Sequence, residues 1–86
     1  MLKLKIVSPE KVEFEGEVSS VKVPGVMGIF EVLENHAPII SSLQRGIVEY
    51  TTAEGTVQLP VTGGFAEVQK NSVSVCVEKA VDGQQQ

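Results

Sequence analysis

Few side chains in this sequence have the type and spacing for chemistry. His36 is the only histidine. Paired with Cys76 it would make a base and a nucleophile; grouped with Glu31 and Glu34 it would make a metal site. Neither arrangement has support. Cys76 lies within a valine-rich stretch and alternates with serines. A cysteine in that setting reads as a small packed side chain, because a reactive thiolate needs an accessible, electropositive surrounding. One imidazole among glutamates at irregular spacing does not match metal-ligand patterns. His36 reads instead as a loop residue, held by a backbone hydrogen bond before Pro38 and open to a partner. Thr62-Gly63-Gly64-Phe65 resembles a phosphate-cradling loop only in its glycines. Such loops open into a helix, and here a strand-like Phe65-Ala66-Glu67-Val68 follows. The glycine pair marks a bend or a close backbone approach, and Pro60 belongs at an edge or bulge. Glu10, Glu13, Glu15 and Glu17 alternate like the solvated face of a sheet, not like an acid–base pair in a cleft. The expectation is no catalytic residue, no cofactor and no bound metal.

The elements around these residues are strands. Leu2, Leu4 and Ile6 alternate with Lys3 and Lys5; Val12 and Phe14 with Lys11, Glu13 and Glu15. Val57, Leu59 and Val61 alternate with Thr56, Gln58 and Pro60, and Val73, Val75 and Val77 with Ser72, Ser74 and Cys76. A period of two with β-branched residues predicts half-buried strands. Turns are expected at Ser8-Pro9-Glu10, Gly16 and Pro24-Gly25. A loop is expected over Glu34–Pro38. Glu54-Gly55 and Lys70-Asn71 read as hairpin turns, with Gly55 and Asn71 able to take positive φ. Short strands with turns at roughly 8–12-residue spacing predict a sandwich or barrel. Val18 and Val21 fall out of phase across Ser19-Ser20. Either a β-bulge restores the apolar face there, or both faces are covered.

The chain has 86 residues, 42% of them hydrophobic and 21% charged. That suits one small soluble domain. Seven Lys+Arg against 11 Asp+Glu leave a formal net charge of −4. An acidic chain with few aromatics excludes the usual basic footprint of a nucleic-acid binder. A single cysteine makes no internal disulfide. No apolar run approaches the ~18 residues of a transmembrane helix. The start lacks the long apolar stretch and cleavage site of a secretory signal, so a cytosolic protein is expected, touching a membrane only through another protein. The polar end from Ala80 to Gln86 reads as a frayed tail.

One segment stands out. Val26, Met27, Ile29, Phe30, Val32 and Leu33 are nearly continuous and flanked by glycines. So small a domain cannot bury them all. Ile39 and Ile40 are adjacent, so a strand must send one of them outward. Contiguous exposed apolar residues mark a protein–protein surface.

Several segments, in order and spacing, closely resemble a known family. They are Lys5-Ile6-Val7-Ser8-Pro9, Phe14-Glu15-Gly16-Glu17-Val18, Gly28–Pro38 with its Asn35-His36-Ala37-Pro38, Leu43-Gln44-Arg45-Gly46-Ile47-Val48, and Thr62–Val68 followed by Asn71-Ser72-Val73-Ser74-Val75. Together they resemble the N-terminal domain of the epsilon subunit of F-type ATP synthases, called delta in mitochondria. The resemblance runs from residue 2 to about residue 82.

The resemblance implies an all-β fold, a ten-stranded β-sandwich of two small sheets over residues 1–82, with residues 83–86 as a disordered polar tail. It implies a non-catalytic rotor subunit of the central stalk, which binds the gamma subunit and the ring of membrane c subunits and helps couple ion-driven rotation to ATP synthesis. It implies a peripheral place on the cytoplasmic face of the bacterial inner membrane. Carried over by position, the c-ring contact falls on Met27, Gly28, Ile29 and Glu31. The gamma contact falls on Ser8, His36, Ile39, Ser41 and Thr62. Two departures stand against the family pattern. Glu31 replaces a usual glycine, and Ile29 stands where many members are acidic; being two apart, the two share a strand face. Most bacterial members also continue into a helical hairpin that can inhibit hydrolysis and in some binds ATP. Were Gln86 the natural end, both properties would be absent. The alternative is an unrelated β-sandwich module that recognises a peptide by edge-strand pairing.

Overall fold

A computed structural model describes residues 1–80. Its elements are eight strands: β1 (Leu2–Val7), β2 (Val12–Val18), β3 (Ser20–Gly25), β4 (Gly28–Val32), β5 (His36–Leu43), β6 (Gly46–Thr52), β7 (Gly55–Lys70) and β8 (Ser72–Lys79). Hydrogen bonding runs in the order β2-β1-β8-β7-β5-β3-β4, with β6 pairing both β3 and β7. All pairs are antiparallel except β1 with β8.

The eight strands make the expected sandwich because β7 is 16 residues long and serves both layers. Its first half, Gly55 to Val61, pairs with β6; its second half, Gly64 to Lys70, lies between β5 and β8. A strand that bends from one sheet into the next is how small sandwiches turn corners. The bend sits at the glycine pair, where the β7–β8 register shifts between Val61 and Gly63. Gly64 has φ of 140°, and a Cβ there would stand 2.0 Å from the Cys76 carbonyl oxygen. The sequence expectation of a bend with close backbone approach is met in one residue. Counting β7 as a single strand is part of why eight elements replace the ten expected.

The interior follows from strand phase. Leu4, Ile6, Val73, Val75, Ala66 and Val68 face inward from one layer; Val21, Val23, Val32, Val48 and Tyr50 face them from the other, all buried. The rings of Phe14 on β2 and Tyr50 on β6 meet at 4.4 Å and close one side. A shortest extent of 19 Å fits two layers about 10 Å apart with their outer side chains.

Four local expectations need correction. Ser19-Ser20 is neither a bulge nor doubly covered. β2 ends at Val18 and β3 starts at Ser20. Val18 pairs with Leu2 and Val21 with Tyr50, so the phase change is a change of layer. Second, Glu13 is not on the solvated face. Ile6 pairs with Phe14 but Val7 with Val12, which makes Glu13 the extra residue of a bulge and turns it toward the protein. Val12 is exposed as a result. Third, Glu34–Pro38 is not all loop, because β5 begins at His36. The register shift between His36 and Ile39 absorbs Ala37 and Pro38, the latter having no N–H to donate. Fourth, Gly55 has positive φ as expected, but at the next hairpin it is Lys70 (φ 53°) and not Asn71 that does. Asn71 is used otherwise. Its side chain accepts from the Asn35 amide at 2.6 Å and donates to the Asn35 side chain at 3.2 Å, tying two turns together. The expected tail, residues 83–86, lies outside the described residues.

Candidate functional site: two exposed apolar surfaces

The first surface is the β3–β4 hairpin. Its register pairs Val21 with Val32, Lys22 with Glu31, Val23 with Phe30, Pro24 with Ile29 and Gly25 with Gly28. Val26 and Met27 therefore form a two-residue tip, and Gly28 follows at φ of 131°. Val21, Val23 and Val32 anchor the hairpin in the core. The other phase points out, with Met27 95% and Ile29 73% exposed. Glu31 shares the outward face of Ile29, as the spacing predicted, and lies opposite Lys22. The tip is steadied by the end of β5 and the turn after it: Val26 N–H donates to the Ser42 carbonyl and Gln44 N–H to the Pro24 carbonyl, both at 2.9 Å. The structure thus brings Met27, Gly28, Ile29 and Glu31 onto one hairpin.

The second surface is built on β5, β7 and β8. Direct cross-strand partners share a face. Ile40, Glu67, Ser74, Lys5 and Glu15 form one outward row; Ser42, Phe65, Cys76 and Val7 form the next. Ile40 is 72% exposed and Phe65 47%. A groove beside Phe65 is lined by Val7, Ser8, Pro9 and Cys76. Of the residues expected to meet a partner, Ser8 borders this groove. Ile39 and Ser41 lie in the opposite phase of β5, paired with Val68 and Ala66; Ile39 remains exposed because it sits toward the strand's outer end. His36 opens the strand, half-buried, with Nδ1 donating to the Ala37 carbonyl at 2.6 Å. Thr62 lies at the β7 bend and donates to the Glu78 carbonyl at 3.2 Å. These residues do not make a single patch. Of the adjacent isoleucines the sequence analysis places Ile39 at the contact, whereas Ile40 is the more exposed. Phe65 is not singled out there, because its outward place follows from its pairing with Ser42, which sequence does not show.

Polar side chains here hold structure. The Ser8 hydroxyl donates to Glu13 at 2.7 Å, and Lys79 Nζ donates to the same carboxylate at 3.2 Å. The Ser8 hydrogen bond, aided by Lys79, holds the Glu13 carboxyl below the usual glutamate range against the opposing effect of desolvation. Burial, with the Glu13 charge behind it, raises the Tyr50 hydroxyl above its ordinary value. Among the described residues no three His, Cys, Asp or Glu side chains come together to hold a metal ion. Among the described residues no helix is long and apolar enough to cross a membrane.

Residues 1–83 match the family model of the ATP synthase delta/epsilon chain β-sandwich domain. The ATP synthase epsilon chain of Leptospira interrogans is 44% identical over 77 residues, covering 90% of this chain and 61% of that one. That of Magnetococcus marinus is 44% identical over 80 residues, covering 93% and 58%. The chain thus spans about three fifths of the length of these curated relatives. A cryo-electron microscopy structure of the Euglena gracilis mitochondrial ATP synthase, comprising OSCP, F1 and c-ring, contains a chain that superposes with a TM-score of 0.84 at 25% identity, over 93% of this chain and 52% of that one. The central stalk and c-ring of the Tetrahymena thermophila mitochondrial enzyme contain another, at a TM-score of 0.74 and 14% identity over 99% and 77%, a likeness of fold.

Proposed function

This chain belongs to the family of ATP synthase delta/epsilon β-sandwich domains, and from that premise we propose that it is a non-catalytic part of an ATP synthase central stalk. In this reading it binds the gamma subunit with the β5–β7–β8 side and the c-ring with the β3–β4 hairpin. It transmits ion-driven rotation and performs no bond-making step. Its association with the membrane, at the cytoplasmic face of a bacterial inner membrane, runs through the complex.

One observation carries the reading beyond family membership. A domain this small leaves large apolar side chains uncovered on two separate surfaces, the hairpin and the Ile40–Phe65 face. A rotor coupling needs two attachments, one toward the head and one toward the membrane ring. Exposed apolar patches are the ordinary mark of protein partners. The gamma contact proposed by position is Ser8, His36, Ile39, Ser41 and Thr62, which do not form one patch; Ile40 and Phe65, the more exposed apolar residues of the outward face, are added to it. The proposed c-ring contact comprises Met27, Gly28, Ile29 and Glu31.

The gamma arm is tested with surface variants. Ile40→Asp and Ile39→Asp are each expected to weaken gamma binding about tenfold or more, by placing a charge in an apolar contact. Circular dichroism should show both still folded. Unchanged affinity in both variants would remove β5 from the interface.

A further inference from the structure

The pairing of β1 with β8 ends at Val7 and Cys76, and the chain then turns through Ser8–Lys11 into β2. Val7, Ser8 and Pro9 line the groove beside Phe65 together with Cys76 and Glu78. Past Val7, one side chain joins this turn to the end of β8. Glu13, the bulge residue of β2, has a side chain only 7% exposed. One of its oxygens accepts from the Ser8 hydroxyl at 2.7 Å and the other from Lys79 Nζ at 3.2 Å. Ser8 is saturated by this arrangement. Its N–H donates to the Lys11 carbonyl at 2.9 Å, and its hydroxyl oxygen accepts from the Glu10 and Lys11 N–H groups, each at 3.3 Å. The hydroxyl has one proton to give, and Glu13 is its shortest contact. A neutral Glu13 would bring a second proton to lone pairs already taken. The other titratable groups around Glu13 are Lys79 on β8, Lys11 in the turn, Glu10 across the Ser8 hydroxyl and Tyr50 on β6. The two lysines favour its charge, and Tyr50 stays neutral in acid.

We propose that Glu13 is a positioning residue for the gamma attachment: its ionised carboxylate sets Ser8 and Pro9 in the wall of the Phe65 groove, and protonating it loosens that wall and weakens gamma binding. The proposal rests on the gamma reading above and adds to it a residue that acts on the contact through Ser8. The Ser8 hydrogen bond, aided by Lys79, holds the Glu13 carboxyl below the usual glutamate range, so the clasp is closed at neutral pH. Because the fold favours the carboxylate, the groove wall is set above about pH 4.3 and released as pH falls through the lower folded value. Gamma attachment is therefore acid-sensitive through a side chain largely hidden from solvent.

The test compares gamma affinity of the unaltered chain and of Glu13→Gln from about pH 7 down to about pH 3.5, with folding checked by circular dichroism at each pH. A glutamine can accept from Ser8 but turns its own N–H protons on Lys79. Glu13→Gln is expected to bind gamma about fivefold more weakly at pH 7, the size of effect seen for residues that act through a network. Amide exchange at Glu10 and Lys11 should quicken in the same variant. The ratio of the two affinities should narrow toward one as pH falls through the folded value of Glu13; taking the ratio cancels the titration of gamma itself. Lys79→Met keeps the Ser8 bond and should lose about twofold; it replaces Glu13→Gln if that variant does not fold, and no loss in it would then count against the proposal. Equal affinities at pH 7 beside quickened exchange would overturn the proposal, leaving the clasp a support of the fold alone. A ratio that stays constant with pH would overturn it too, because side-chain shape and not charge would be responsible. If the unaltered chain ignores gamma at pH 7, the parent reading itself fails, which is a different result.

Discussion

Val75 is the simplest residue on which to test the packing account. It is 1% exposed at the centre of β8, between β1 and the second half of β7. Val75→Ala should cost roughly 1–3 kcal/mol by lost burial and an unfilled space. A urea titration reads this directly, and a cost near zero would invert the strand phase. Glu13 gives a pH test. Its folded value is depressed, so the fold favours the carboxylate. Its contribution is complete above the unfolded value of about 4.3 and is lost as pH falls through the lower folded value. The unaltered chain should therefore lose stability in that acid window more steeply than Glu13→Gln, as thermal melts at graded pH would show. Equal slopes would deny the clasp with Ser8 and Lys79. The valine phases were legible because a period of two reports directly on a sheet. Glu13 was not, since a bulge breaks that period and is decided by the partner strand, where Ile6 and Val7 skip a residue on β2.

At the scale of elements, β7 carries the architecture. Its bend needs a residue at positive φ pressed against a neighbouring backbone, and Gly64 meets both demands. Gly64→Ala should therefore cost more than about 3 kcal/mol or prevent folding, from strain and clash together. Gly55→Ala shares the positive φ but meets no atom within 4 Å. It should cost only about 1–2 kcal/mol. Similar losses in the two would mean that backbone strain alone matters at Gly64. The glycine pair announced a bend in sequence, yet not that one strand would span both layers. That depends on β6 and β8 pairing with successive halves of β7, a long-range choice. The same limit hid the layer change at Ser19, where two valine phases meet in adjacent strands that pack in different sheets.

For the whole molecule, the central claim is a coupling piece with two attachment surfaces. The hairpin residues Met27, Ile29 and Glu31 were legible as a group because they are contiguous. The β5–β7–β8 face was only half legible, because Ile40 and Phe65 are 25 positions apart in chain and become neighbouring rows only through the register of β5 on β7. Light scattering of this chain, purified and mixed with the gamma subunit of the same organism, tests the claim most directly. The account predicts a one-to-one complex whose formation is impaired by Ile40→Asp. A folded chain that stays monomeric beside gamma would contradict it.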